Sequence, residues 1–221
     1  MPPMRVLCLH GAGTNTEILQ FQLRPLVKEL DTDHSATFHF TEGVMDSAPG
    51  PNIENYYEGP FYSYYNYPRS TEEDGSTIEE AFEQLVEFID IEGPFDAVIG
   101  FSHGGTLACA FLAQYSTRHP YEGPPFKCAI FFNSLPPFVM SATGNFLFEK
   151  HLKGRLSIPT LHVVGRKDFI YEHSIKLHQM CGDKRATVVI HDNGHEIPKE
   201  PKFLAKIAAA IRKISRDLMF Q

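Results

Sequence analysis

At 221 residues the chain is long enough to bury a sizeable core in one α/β domain, and 43% hydrophobic with 21% charged residues exclude disordered, collagen-like and membrane classes. A net charge of −7 without a clustered Lys/Arg stripe excludes the basic footprint that nucleic acid requires. The start, MPPMRVLCLHG, has too short an apolar run for a signal peptide, and four dispersed cysteines without a CxxC pair read as buried free thiols in a reducing, cytoplasmic setting.

Taken in order, MRVLCLH reads as a buried strand and TEILQFQLRPLVKEL as an amphipathic helix that Pro25 would kink or split. ATFHFTEG alternates as a second strand. Residues 43–75 then carry Pro, Gly, Asn and Tyr without a period, and so long a loop in a compact domain is usually functional. STIEEAFEQLVEFIDIEG opens with a capping box, Ser76 and Glu79, and places Ile78, Phe82, Leu85, Val86 and Ile89 on one helical face. FDAVIG is a continuous apolar strand, SHGGTLACAFLAQYS a helix and KCAIFFNS a strand. After a second irregular insert, 134–157, come the strand IPTLHVVG, the helix YEHSIKLHQMCG, the strand ATVVIH and a closing helix, KEPKFLAKIAAAIRKISRDL. This alternation predicts an α/β fold, a mostly parallel central sheet with helices on both faces. Residues 1–221 are expected to form one domain, its two inserts supplying pocket walls.

Reactive groups in such sheets collect beyond the carboxyl ends of the strands. Gly100-Phe101-Ser102-His103-Gly104 fits G-x-S-x-G between a strand and a helix, the context in which a strained turn aims a serine outward. A serine hydroxyl needs a base held by a third group. His195, in the turn after ATVVIH, is preferred as base over His191, whose place at the strand terminus suits packing. A metal shared by His191, Asp192 and His195 is disfavoured because Asn193-Gly194 breaks the helix it would need. Asp168 ends the penultimate strand and can orient the imidazole, with Asp192 the weaker substitute. Ser102, Asp168 and His195 then follow the chain order of α/β-hydrolases. The backbone N–H groups of His103 and Ala12 are the expected oxyanion donors, and the His103 imidazole is expected to be a neighbouring surface side chain. GAGTNT lacks the Gly-Lys-Ser/Thr of a phosphate loop, so no nucleotide cofactor is expected.

With LCLHGAGTN, FDAVIGFSHGG, IPTLHVVGRKDFI and HDNGHEIP in this order, the chain resembles the fungal family of serine hydrolases, related to the ovarian-cancer-associated serine hydrolases. The resemblance implies an α/β-hydrolase fold with Ser102 as nucleophile, Asp168 as orienting acid and His195 as base. It further implies hydrolysis of short-chain or aryl esters or, as in members serving fungal biosynthetic clusters, release of a polyketide thioester from its acyl carrier protein. The family's Trp-containing stretch is replaced here by NYYEGPFYSYYNYPRS, and the chain has no Trp. Tyr62, Tyr64 and Tyr65 of this loop either line an acyl pocket or pack onto the sheet. Phe138, with Met140, Phe146 and Phe148, forms a second pocket wall or simply packs in the core. A non-hydrolytic ligand binder, or a lyase or cyclase built on the same groups, is the alternative.

Overall fold

The computed structural model describes residues 3–51, 53–70, 76–119, 121–149, 156–182 and 185–219. Its elements run β1 (Met4–Leu9), α1 (Thr16–Asp31), β2 (Ala36–Thr41), β3 (Met45–Asp46), β4 (Tyr62–Ser63), α2 (Ser76–Glu92), β5 (Ala97–Phe101), α3 (His103–Arg118), β6 (Cys128–Phe132), β7 (Phe138–Met140), β8 (Phe146–Phe148), β9 (Thr160–Gly165), α4 (Tyr171–Cys181), β10 (Ala186–His191) and α5 (Pro201–Met219). Six strands form one sheet in the order β10-β9-β6-β5-β1-β2, and every neighbouring pair is parallel. The order reverses between β1 and β5. That is the switch point at which a crevice opens beyond the strand ends in open α/β sheets.

The period of two along each strand divides the core. Leu7, Leu9, Val98, Ala129 and Phe131 face one way, against α2, α3 and α4. Val6, Cys8, Ile99, Ile130 and Val163 face the other way, against α1 and α5. Leu19, Leu23, Leu26 and Leu30 of α1 are wholly buried, each contributing about 1.5–3 kcal/mol of transfer free energy. The helix opens on Asn15, whose side chain accepts the Ile18 N–H at 2.9 Å. It runs unbroken through Pro25 despite the missing N–H, because this apolar stripe holds both halves against the sheet. The four cysteines are buried and free.

The Glu79 carboxylate, expected in a capping box at α2, is engaged elsewhere. Ser76 is the first helical residue, and the Glu79 carboxylate instead accepts from Gln114 Nε2 at 3.0 Å and pairs with Arg118, tying α2 to α3. Ile78, Ala81, Phe82 and Leu85 make the buried face, Ile89 packs at its margin, and Val86 is exposed.

Both inserts contain short antiparallel pairs, β3 with β4 and β7 with β8. They meet where Ser70 bridges Met140, whose N–H donates to the Arg69 carbonyl at 2.6 Å. Leu135, Phe138 and Ile170 form a small cluster apart from the two main ones. Residues 52 and 71–75 of the first insert and 150–155 of the second lie outside the described residues. Among the described residues, no helix is long and apolar enough to cross a membrane.

Candidate active site

Ser102 follows the last residue of β5 and precedes the first of α3, with φ 52° and ψ −114°. A side-chain-bearing residue in this left-handed region is strained, and the neighbours must hold it there. They do so by close approach. A Cβ on Gly100 would overlap the Gly105 backbone, and one on Gly104 would overlap the carbonyl oxygens of Leu9 and His10. The Ser102 N–H donates to the Phe132 carbonyl at 2.9 Å, fixing the turn to β6 as well.

Three side chains from separate strand ends meet here. Ser102 Oγ lies 3.0 Å from His195 Nε2, and His195 Nδ1 lies 2.8 Å from Asp168 Oδ2. The Asp168 side chain is fully buried, and its Oδ1 accepts the Ile170 N–H at 3.0 Å. A carboxylate can only accept, so Nδ1 carries a proton and Nε2 keeps a lone pair toward the hydroxyl. The imidazole sits between the rings of Phe101, at 5.1 Å, and Phe169, at 4.9 Å. His191 is buried against Phe203, and Asp192 is exposed and paired with Lys202, so neither joins His195.

Asn133, unremarked in the sequence, holds the base and acid loops in place. It lies just past β6 with φ 44°; its Oδ1 accepts the Gly165 N–H at 2.8 Å and its Nδ2 donates to the Glu196 carbonyl at 2.9 Å. The loops after β9 and β10 are thereby joined next to Asp168 and His195. Its position at the end of a buried strand was the only available signal.

The N–H groups expected to bind an oxyanion belong to Ala12, past β1, and His103, at the head of α3. The Ala12 loop is held by the first insert: Gly13 N–H donates to the Tyr62 carbonyl at 3.0 Å, and Tyr62 N–H donates to the Thr14 carbonyl at 2.7 Å. The His103 imidazole is completely buried, contrary to the surface position expected for it. Tyr65 and Tyr67 pack against it at 4.5 and 4.3 Å, and its Nε2 accepts the Tyr64 N–H at 3.1 Å. Burial, with His10 nearby, holds its pKa well below that of an ordinary histidine, so the ring is neutral.

A cavity of about 280 Å³ opens beside Ser102 and His195, walled by Tyr67, Leu135, Phe138, Met140, Phe146 and Ile170. Phe138 is at this pocket and also belongs to the small buried cluster with Leu135 and Ile170. Tyr62, Tyr64 and Tyr65 are not at the pocket: the last two are buried in the main core, and Tyr62 uses its backbone to brace the Ala12 loop. Tyr67 is the ring of this loop that reaches the cavity. An open groove of about 920 Å³, floored by Phe21, Tyr57 and Phe169, meets the cavity at His195. A third hollow, about 500 Å³ between α2 and α3, contains none of these groups. Among the described residues, no cluster of three or more His, Cys, Asp or Glu could hold a metal ion.

A hydroxyl, a base with a free lone pair and a buried carboxylate in line can generate an alkoxide at a carbonyl placed in the cavity. The known proteins that match are consistent with this chemistry. The family described as "Serine hydrolase (FSH1)" matches over residues 1–207. Hydrolase phiM of Talaromyces stipitatus is 41% identical over 229 residues, covering 100% of this chain and 91% of its own length. Esterase FPY3 of Fusarium mangiferae is 33% identical over 217 residues, covering 96% of each chain. Among solved structures, esterase PE8 superposes with a TM-score of 0.66 at 20% identity over 97% of this chain and 96% of its own, a likeness of fold.

Proposed function

This chain belongs to the serine hydrolase (FSH1) family and has the α/β-hydrolase fold, and from that premise we propose that it cleaves a carboxylic ester or thioester through an acyl-enzyme on Ser102. The observation carrying this reading is the continuous hydrogen-bonded line from Ser102 Oγ through His195 to Asp168 at the mouth of an apolar cavity. Ser102 Oγ attacks the acyl carbon as His195 Nε2 takes its proton, and Asp168 stabilises the imidazolium. The oxyanion meets the Ala12 and His103 N–H groups, the latter aided by the positive end of α3. Collapse expels the alcohol or thiol, which leaves with the proton from His195. Water activated by the same imidazole then attacks the acyl carbon, releasing the acid and restoring Ser102.

The acyl group is neutral and apolar, because among the described residues no charged side chain walls the cavity apart from the reacting histidine. The open groove at His195 suits the leaving group. We assign the thioester of a polyketide acyl chain on a carrier protein as substrate, supported by an apolar cavity beside Ser102 that adjoins a larger groove of about 920 Å³ at His195. A short- to medium-chain carboxylesterase is the second reading, favoured by the modest 280 Å³ of the apolar cavity.

A fluorophosphonate probe should label Ser102, and Ser102→Ala should abolish both labelling and turnover while remaining folded. Turnover surviving in that variant refutes the acyl-enzyme. A series of p-nitrophenyl esters, N-acetylcysteamine thioesters and carrier-bound acyl thioesters then separates the two substrates: a higher kcat/KM on carrier-bound acyl groups supports polyketide release, and a preference for free esters supports the carboxylesterase.

A further inference from the structure

The oxyanion donors lie on two chain segments that the sheet does not hold together. The β1–β5 ladder ends at Leu9 and Gly100, before either donor is reached. Past that pair, Gly104 at the head of α3 packs against the Leu9 and His10 carbonyls, and Tyr64 hydrogen-bonds to both segments. The Tyr64 hydroxyl accepts the His10 N–H at 2.8 Å and donates to the Thr41 carbonyl at 3.0 Å, so both of its roles are filled. The Tyr64 N–H donates to His103 Nε2 at 3.1 Å. Its ring lies 4.6 Å from that of His10 and 5.7 Å from that of His103.

Two histidines and a tyrosine, none more than 3% exposed, are a costly way to fill a core that apolar residues could fill. The Tyr64 hydroxyl and main-chain N–H meet the His10 N–H and His103 Nε2, and His10 Nδ1 lies 2.8 Å from the Gly11 carbonyl, whereas His103 Nδ1 has no partner among the described residues. We propose that Tyr64 is a positioning residue that locks the His10–Ala12 turn and the head of α3 at the separation an oxyanion requires; this rests on the acyl-enzyme reading above. Because donors act on the transition state, loosening them lowers kcat and leaves substrate binding in the cavity intact.

The test compares Tyr64→Phe with Tyr65→Phe, which also loses a buried phenol hydroxyl from the same loop but keeps its ring on His103. For Tyr64→Phe, kcat on a p-nitrophenyl ester should fall about 10- to 100-fold with KM within about threefold, a fraction of the loss of a whole donor. Affinity for an arylboronic acid, which forms a tetrahedral adduct on Ser102, should fall by the same factor as kcat/KM. Tyr65→Phe should retain kcat within about twofold. A kcat for Tyr64→Phe within twofold of wild type, a loss carried by KM, or an equal loss in Tyr65→Phe overturns the proposal. If Tyr64→Phe does not fold, fluorotyrosines at position 64 weaken the hydroxyl as an acceptor stepwise; kcat must then fall in step, and a flat response overturns the proposal. Ser102→Ala separates the two levels: turnover in that variant sinks the acyl-enzyme itself, whereas a dead Ser102→Ala beside an unimpaired Tyr64→Phe sinks only the coupling.

Discussion

Replacing Asp168 by Asn removes one charge and almost no volume, yet the new side chain can keep only one of the two hydrogen bonds that the carboxylate accepts. The carboxylate has two acceptor oxygens in use, Oδ2 toward His195 Nδ1 at 2.8 Å and Oδ1 toward the Ile170 N–H at 3.0 Å. An amide offers one oxygen and one NH2, so one of these donors must lose its acceptor. With the NH2 toward Ile170, two buried donors would face each other, costing about 1–3 kcal/mol. With the NH2 toward His195, the imidazole adapts by moving its proton from Nδ1 to Nε2. The second arrangement wins, and the lone pair that should receive the Ser102 proton disappears. By analogy with other triads that lose their carboxylate this way, kcat should fall about 10⁴-fold. That fall corresponds to about 5 kcal/mol in the barrier. Initial rates on p-nitrophenyl butyrate between pH 6 and 10, measured beside thermal unfolding, provide the assay. A folded Asp168→Asn protein with a Tm within a few degrees of wild type and kcat within tenfold of it at pH 7 would refute the reasoning.

A Cβ on Gly104 meets two main-chain oxygens of the chain leaving β1, which cannot rotate away. Gly104→Ala should therefore cost about 1–3 kcal/mol in urea unfolding and lower kcat, because the displaced segment leads to Ala12. Gly123→Ala, where a Cβ meets nothing within 4 Å, should do neither. His162 is almost fully buried, and desolvation, with His178 nearby, lowers its pKa to about 3. The unfolded chain binds this proton near pH 6.5 and the folded chain does not. Stability is therefore complete above pH 6.5 and declines as the pH falls toward 3, by up to about 1.4 kcal/mol per unit from this group. His162→Gln should flatten the slope of stability against pH between 6.5 and 5; an unchanged slope refutes the assignment.

The sequence reveals most where the chemistry is local. Strands such as FDAVIG and KCAIFFNS are continuous apolar runs because both faces of a parallel sheet are covered, and they are legible for that reason, whereas the edge strand β2 shows itself by alternation. Ser102, Asp168 and His195 could be picked out because each ends or closely follows one of those strands. Contacts between distant segments left no such mark. The burial of His103 depends on tyrosines 64, 65 and 67 folding over it, and neither stretch announces the other. Glu79 has the right spacing for a capping box but finds stronger partners on α3, which intervenes only in the folded chain. The strands of the inserts, two or three residues each, are too short to display a period.

The β7–β8 hairpin stands on its own small cluster, outside the two apolar layers that clamp the sheet. Its Phe138 and Phe146 face the cavity, while Ser102, Asp168 and His195 follow strands of the central sheet. Selection can thus remodel the hairpin to admit a bulkier or slimmer guest without unsettling the foundations, and a lineage can change its diet while keeping the same teeth.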